Sequence, residues 1–199
     1  MQILIQLHRL LDKTKSFDFL GPLALRLYLA PIFILAGSNK LAHVEDVAAW
    51  FAWIGMPAPT LMVYLAGLTE LLGGIALLVG IALRWLAIPM MFTMIVAAAT
   101  AHWDNGWHTL PETQLTVPWE WKKDNIEEAL KRKEAAKALL KEHGDYEWLT
   151  EYGAITILKN GIEFTATYFI MLLVLFFTGA GKLSLDHLLY QRFFRNAAT

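Results

Sequence analysis

A single carboxylate, Glu70, interrupts the otherwise uncharged run of residues 60–83. The run is long enough to cross a lipid bilayer, because a spanning helix needs about 20 apolar residues at a rise of about 1.5 Å each. A charge at the bilayer centre costs at least ~2.5 kcal/mol, so acids there face protein or trapped water and have a partner. The run therefore predicts a membrane helix whose Glu70 points inward. Gly67, Gly73 and Gly74 share its face and predict close helix packing.

The composition agrees with a membrane protein. The chain is 56% hydrophobic and contains eight tryptophans, and its mean hydropathy is +0.42. It has no cysteine, which excludes disulfides, thiol chemistry and cysteine-ligated iron-sulfur or zinc sites. The net charge is -1 and the basic residues are scattered, so the pattern indicates no nucleic-acid partner.

Four stretches share the length and hydropathy of membrane spans: about residues 19–41, 60–83, 85–103 and 153–178. They predict an all-α integral membrane four-helix bundle that forms one domain, residues 18–199. Residues 1–17 repeat apolar side chains at helical spacing and predict an amphipathic helix at the membrane interface.

The polar segment 104–152, between the third and fourth spans, predicts an extramembrane insertion. Within it, Asp124 or Asn125 is suited to begin a helix and Gly144 to end one. This helix is expected to be solvated, and it is interpreted as a cap or lid, with a docking surface for a partner as the alternative.

Basic residues in the short loops predict the orientation. They precede the first span, lie between the second and third, and follow the fourth: Arg9, Lys13, Lys15, Arg84, Lys182, Arg192 and Arg195. Because cytoplasmic loops carry an excess of Lys and Arg, both termini are expected in the cytoplasm. The insertion is then expected on the outer side.

Polar residues inside or at the ends of the predicted spans form the candidate site. The catalytic candidates are Glu70, Glu163 and His102, and the cofactor-binding candidates are Arg26, Lys40, Lys159 and Asn160. Glu70 and Glu163 are expected near the bilayer midplane, and Lys159 is expected on the helix face of Glu163. One interpretation is a polar pocket in which a carboxylate exchanges a proton with a quinol while a histidine relays protons.

The alternative is charge pairing that only fixes the helix register. We favour this for Arg26 and Lys40, which lie near the span ends, and favour function for Glu70 and Glu163. A further hypothesis is a metal site formed by His102, Asp104 and His108, whose nitrogen and oxygen atoms suit copper(II) or zinc. Their spacing matches no metal motif, so no metal ligand is predicted.

Residues from several predicted spans and loops form an ordered pattern: Arg26, Phe33, Gly37 and Lys40, then Gly55 to Pro59, then Glu70, Gly73, Gly74, Leu78 and Gly80, then Arg84, Lys159 and Asn160. This pattern resembles that of the DoxX family of small bacterial membrane proteins. The resemblance implies a four-helix bundle in the bacterial inner membrane, in a family linked to a terminal quinol oxidase and to other oxidoreductase complexes. The long insertion resembles an HvfX-type branch associated with maturation of copper-binding ribosomal peptides.

Three hypotheses follow. The first is an accessory subunit of an oxidoreductase system that binds quinol and passes electrons to a protein partner, since the chain encodes no redox centre of its own. The second is a non-catalytic accessory of copper-peptide maturation or copper handling. The third and least favoured is a carrier, because four helices without inverted repeats offer little machinery for alternating access, unless a homo-oligomer supplies it.

Overall fold

The computed structural model describes residues 1, 4, 6, 12–112 and 114–195, and it is all-α: no strand occurs within these ranges. The described part of the chain contains eight α-helices: α1 Leu20–Ala42, α2 Val44–Trp53, α3 Pro59–Val79, α4 Leu83–Ala97, α5 Asp124–His143, α6 Tyr146–Leu149, α7 Glu163–Thr178 and α8 Leu185–Tyr190. The interfacial helix predicted for residues 1–17 falls largely outside the described residues. Thr14–Phe17, within them, is a 3-10 turn.

Three helical stretches are long and apolar enough to cross a membrane: Thr14–Ala42, Pro59–Val79 and Leu83–Asn105. The last of these includes α4 with its π-helical and 3-10 continuation. By length and composition they support a membrane protein, and they lie where the first three spans are predicted.

The fourth predicted span, residues 153–178, is helical only over Glu163–Thr178. These 16 residues extend roughly 24 Å, less than the ~30 Å hydrocarbon core. Residues 154–162 are not helical, and the backbone N–H groups of the last four donate to carbonyls of residues 106–109. The N–H groups of Lys159 and Gly161 donate to the carbonyls of Thr109 and His108 at 2.9 and 3.0 Å.

The position of Lys159 corrects one expectation. Lys159 and Asn160 precede α7, so Lys159 does not share a helix face with Glu163. Asn160 has a positive φ of 61°, which a continuing helix does not allow. A Cβ at Gly161 would overlap the carbonyl oxygens of residues 106–108, so this loop packs too tightly for any larger residue there.

The chain forms two compact units. The first unit is Met1–Thr93 with Tyr168–Thr199, and the second unit is Met94–Thr167. The core of the first unit is apolar, with fully buried side chains from four helices: Leu29, Phe33, Val63, Leu77, Leu83, Met90, Leu172 and Leu175. The second unit contains α5 and the loops before and after it, and its buried groups are mainly polar: Thr109, Glu112, Glu120 and Lys159.

Candidate functional site

In the first unit, glycines bring α1 and α3 into close contact. A Cβ at Gly37 of α1 would overlap the backbone of Gly67 and Leu71 of α3. A Cβ at Gly74 would overlap the backbone of Ile34. Small residues let membrane helices approach at backbone distance, and here they place the polar side chains of the two helices within reach of each other.

The close approach produces an ion pair between α1 and α3. Lys40 Nζ donates to Glu70 Oε2 at 2.6 Å. The Glu70 side chain is 7% exposed and that of Lys40 is 24% exposed. Lys40 lies in the last turn of α1, where its stem extends along apolar surface while its ammonium group reaches the carboxylate. The pair therefore supplies the partner that a buried acid in an apolar helix requires.

Only one oxygen of Glu70 is used in this pair. Within the described part of the chain, Oε1 of Glu70 has no hydrogen-bond donor, and Lys40 is the single partner of the side chain. A carboxylate oxygen in this state can accept a hydrogen bond from a hydroxyl group or take up a proton. The chemistry of the pair would allow proton exchange or the binding of a hydroxyl group, and a functional role for Glu70 stays a prediction.

Arg26 is held differently. Its guanidinium donates to four backbone carbonyls: Leu77 and Leu78 at the end of α3, and Ala180 and Leu183 in the loop after α7, at 2.7 to 3.1 Å. Four of its five N–H bonds are thus used inside the protein. The contacts anchor helix ends that would otherwise carry unsatisfied carbonyl groups. Cofactor binding by Arg26 stays a prediction.

In the second unit, Lys159 is the centre of a buried ion-pair network. Its Nζ lies 2.7 Å from Glu120 Oε2 and 3.5 Å from Glu112 Oε1. The side chains of Lys159 and Glu120 are 3% and 0% exposed. Two carboxylates therefore share one ammonium group away from solvent.

Backbone amides complete the environment of Glu120. The N–H groups of Trp107 and Lys122 donate to its two oxygens, at 2.9 to 3.3 Å. Burial raises the pKa of Glu120, but the hydrogen bonds from Lys159, Lys122 and Trp107 lower it, and the net pKa lies below the ordinary value of a glutamate. Glu120 is thus held ionised as part of the architecture of the loop.

Glu163 begins α7 and contacts the same loop. Its Oε2 accepts the N–H of Thr109 at 2.9 Å and lies 3.6 Å from His108 Nδ1. His108 Nε2 is 2.9 Å from the hydroxyl of Thr116, which itself donates to Glu112. Because that hydroxyl has one proton, its oxygen accepts from the imidazole, and the three side chains form a chain of hydrogen bonds.

A hydrogen bond joins two further candidate site residues, His102 and Asn160. The Nδ1 of His102 lies 2.9 Å from the carbonyl oxygen of Asn160, so Nδ1 carries the proton and donates. The same carbonyl accepts from Asn105 at 3.2 Å. The imidazole orients the loop before α7, and its Nε2 is left for a relay role that stays a prediction.

The structure thus pairs Lys40 with Glu70 and His102 with Asn160, and it places Lys159 in a network that the sequence pattern does not predict. The signal available in the sequence was Glu120 itself, a single acid between two tryptophans. Among the residues that the structure describes, no group of three or more His, Asp or Glu side chains could hold a metal ion. Asp104, weighed above as a ligand, pairs with Lys122 at 3.3 Å.

Comparison with known proteins gives two findings. Residues 21–103 match the DoxX family model. The match includes α2, α3, α4 and nearly all of α1, and therefore both residues of the Lys40–Glu70 pair. It excludes residues 104–199, which contain the greater part of the second unit.

A relative from Bacillus subtilis (strain 168), named "Putative oxidoreductase CatD", is 34% identical to the chain over 86 residues. The aligned part is 43% of this chain and 62% of that relative, so the chain spans less than two thirds of the relative's length. No solved structure matches the chain.

Proposed function

We propose that this chain is a DoxX-type membrane accessory subunit of an oxidoreductase system, in which Glu70 and Lys40 bind the hydroxyl head group of a quinol. The observation that carries the proposal is the buried carboxylate of Glu70, held on one oxygen by Lys40 and without a donor on the other. The family match covers both residues, and a relative that is 34% identical over 86 residues is named "Putative oxidoreductase CatD".

The chemistry follows from the pair. A quinol hydroxyl donates to Glu70 Oε1, and the carboxylate takes one of the two protons that the quinol releases when it gives up two electrons. The second proton leaves to solvent from the other hydroxyl. The ammonium group of Lys40 keeps the carboxylate oriented and compensates its charge before the proton arrives. The electrons pass to a partner oxidoreductase, because this chain contains no cysteine and encodes no redox centre of its own.

The proposed arrangement is a four-helix bundle in the bacterial inner membrane, with both termini in the cytoplasm. α7 is the fourth span, and its 16 residues cross with local bilayer thinning or help from flanking residues. The basic residues before α1, between α3 and α4, and after α7 support this orientation. Reporter fusions at residues 55, 130 and 199 test it, and a cytoplasmic signal from residue 130 would contradict it.

The test of the quinol site is the quinone content of the protein purified in mild detergent. The wild type is expected to retain quinone, and Glu70→Gln is expected to lose it, because the amide cannot take up the proton and no longer pairs with Lys40. Glu128→Gln, an exposed acid of α5, is the matched control and should retain wild-type levels. Equal quinone in Glu70→Gln and wild type, or none in the wild type, would contradict the proposal.

A second candidate is an accessory role in maturation of copper-binding peptides. It is supported by the second unit, most of which lies beyond the family match and which contains a groove of about 250 Å³ between α5 and the loop before α7. Asn125, Arg132 and Leu158 are among its lining residues. Binding of an acidic peptide that is weakened in Arg132→Gln, with quinone absent from the wild type, would favour this candidate.

A further inference from the structure

A cavity of about 440 Å³ opens in the first unit beside the start of α4 and the end of α7. Its lining includes a short glycine-containing loop and two cationic side chains: Arg84, Thr178, Gly179, Gly181, Lys182 and Ser184. Neither the Lys40–Glu70 pair nor the network around Lys159 belongs to this lining.

The wall of this cavity is fixed by polar contacts to the protein backbone. The carboxylate of Asp186 accepts the N–H groups of Ala82 and Leu83, at 2.8 and 3.3 Å. Behind the loop, Arg26 binds the carbonyl oxygens of Ala180 and Leu183 at 2.8 and 2.7 Å. The loop is therefore held in place whether or not a ligand is bound.

This anchoring determines where the loop's amide donors point. In a trans peptide unit the C=O and N–H bonds point in opposite directions. Because Arg26 holds the carbonyls of Ala180 and Leu183, the N–H groups of Gly181 and Ser184 point away from it. Neither N–H donates to an acceptor within the described part of the chain, and both residues line the cavity. These donors are available to an anion.

Arg84 supplies a positive charge that forms no ion pair with a described residue, although the carboxylate of Asp186, which binds the N–H groups of Ala82 and Leu83, also lines the cavity. Arg84 Nη2 donates to the carbonyl of Phe177 at 3.1 Å, and no carboxylate lies within 4.0 Å of it among the described residues. By contrast, Lys182 pairs with Asp18 at 2.6 Å. Gly179, with φ of 76°, lies directly beneath the guanidinium, so that a Cβ there would come within 3.3 Å of Arg84 Nε. Arg84 is thus positioned over the loop with donors to spare.

The surroundings identify the source of the anion. Trp85 and Phe177, beside the cavity at the ends of α4 and α7, are 78% and 70% exposed. Tryptophan at the end of an apolar helix is typical of the lipid headgroup layer. We propose that this cavity binds the phosphate group of an anionic phospholipid, with Arg84 as its main cation and the N–H groups of Gly181 and Ser184 as further donors.

The test is native mass spectrometry of the protein in mild detergent, titrated with phosphatidylglycerol or with phosphatidylcholine of the same acyl chains. The wild type is expected to prefer phosphatidylglycerol. Arg84→Gln should lose roughly fivefold in affinity for it, the effect of one basic residue near an anionic lipid. Lys131→Gln, which removes the same charge from an exposed position of α5 in the second unit, is the matched control and should bind like the wild type.

Lys182→Gln provides a second variant should Arg84→Gln fail to fold, because Lys182 is exposed and its loss should weaken phosphatidylglycerol binding in the same direction, by less. The bound phosphate group belongs either to a lipid or to free inorganic phosphate, and adding inorganic phosphate alone distinguishes these two sources. The lipid proposal expects inorganic phosphate to leave phosphatidylglycerol bound. It is overturned if inorganic phosphate displaces the lipid at equal concentration, if the wild type shows no preference, or if the Arg84 and Lys182 variants bind like the Lys131 control.

Discussion

Each unit pairs a lysine with a buried glutamate, and the difference between the two pairs separates a candidate reaction site from a structural one. In the first unit, Lys40 is the single partner of Glu70 among the described residues, and none of those residues donates to the second carboxylate oxygen. In the second unit, Glu120 receives Lys159 together with two backbone N–H groups. A carboxylate whose two oxygens already accept backbone N–H groups has little capacity to bind a new donor. A carboxylate with one oxygen that accepts no hydrogen bond can bind a hydroxyl group or a proton.

The same contrast extends to the position of the pairs in the fold. Lys40 and Glu70 project from two continuous helices that glycines bring together, so their contact requires no loop. Lys159 joins two loops that have little regular secondary structure, and the buried charges replace an apolar core there. A buried ion pair, taken as a whole, often contributes little to the free energy of unfolding. Removing one partner alone, however, leaves an uncompensated buried charge, which is strongly destabilising.

The largest expected effect is therefore Lys159→Met. The variant leaves Glu112 and Glu120 buried without their cation, and we expect it to cost about 3–5 kcal/mol of the stability of the second unit. Hydrogen exchange of residues 106–122 measures the loss. Lys122→Met, which breaks only the exposed pair with Asp104, should behave nearly like the wild type. Equal protection of these amides from exchange in the two variants would show that the network around Lys159 does not stabilise the second unit.

The next effect in size is Lys40→Met, which leaves the Glu70 carboxylate without a partner. We expect a loss of about 2–3 kcal/mol in thermal unfolding, because a buried charged group loses its only hydrogen bond. The double variant Lys40→Met/Glu70→Met should recover most of this loss, since it removes both charges. Lys15→Met, from an exposed pair with Asp12, is the control in the same unit. A Lys40→Met variant as stable as that control would show that the pair contributes nothing.

A glycine comparison tests whether close helix approach positions the pair. Gly37→Ala places a Cβ against the backbone of α3 and should cost about 1–3 kcal/mol through overpacking. Gly21→Ala on the same helix meets nothing within 4 Å, and it should be neutral or stabilising through helix propensity. Thermal unfolding of the two variants gives the difference. Indistinguishable melting temperatures would mean that α1 and α3 tolerate separation.

The smallest effect is the pH dependence of the second unit. Because the pKa of folded Glu120 lies below its ordinary value, ionised Glu120 stabilises the unit above the ordinary glutamate pKa of about 4.3. That contribution is lost as the pH falls through the lower, folded pKa. Hydrogen exchange at the amides of Trp107 and Lys122 should increase over this acid range in the wild type. In Glu120→Gln the increase should be reduced, and an unchanged acid profile would contradict the assignment.

The sequence indicates the first unit better than the second for a physical reason. Apart from Glu70, the run of residues 60–83 contains no charged side chain. Local hydropathy alone is therefore enough to locate α3 in the sequence. α5 is also anticipated, since it spans Asp124–His143 with Gly144 at its C-cap, close to the predicted ends. The positions of both helices follow from residues that are close together in the sequence.

The loop before α7 and the network around it depend on distant residues. Residues 154–158 are apolar enough to suggest a span, but the N–H groups of the next residues bind carbonyls about 50 positions away, which no local pattern encodes. Glu112 and Glu120 lie in a polar segment where acids are normally solvated, so their burial becomes visible only once Lys159 is placed beside them.

The central claim is that Glu70, and not Glu120, exchanges a proton with a bound quinol. Infrared difference spectroscopy of the protein with a quinone, between the oxidised and reduced states, reports carboxyl protonation directly through the C=O stretch. The account predicts a protonated-carboxyl band that is absent in Glu70→Gln and retained in Glu120→Gln. A band that survives in Glu70→Gln, or none in the wild type with quinone bound, would contradict it.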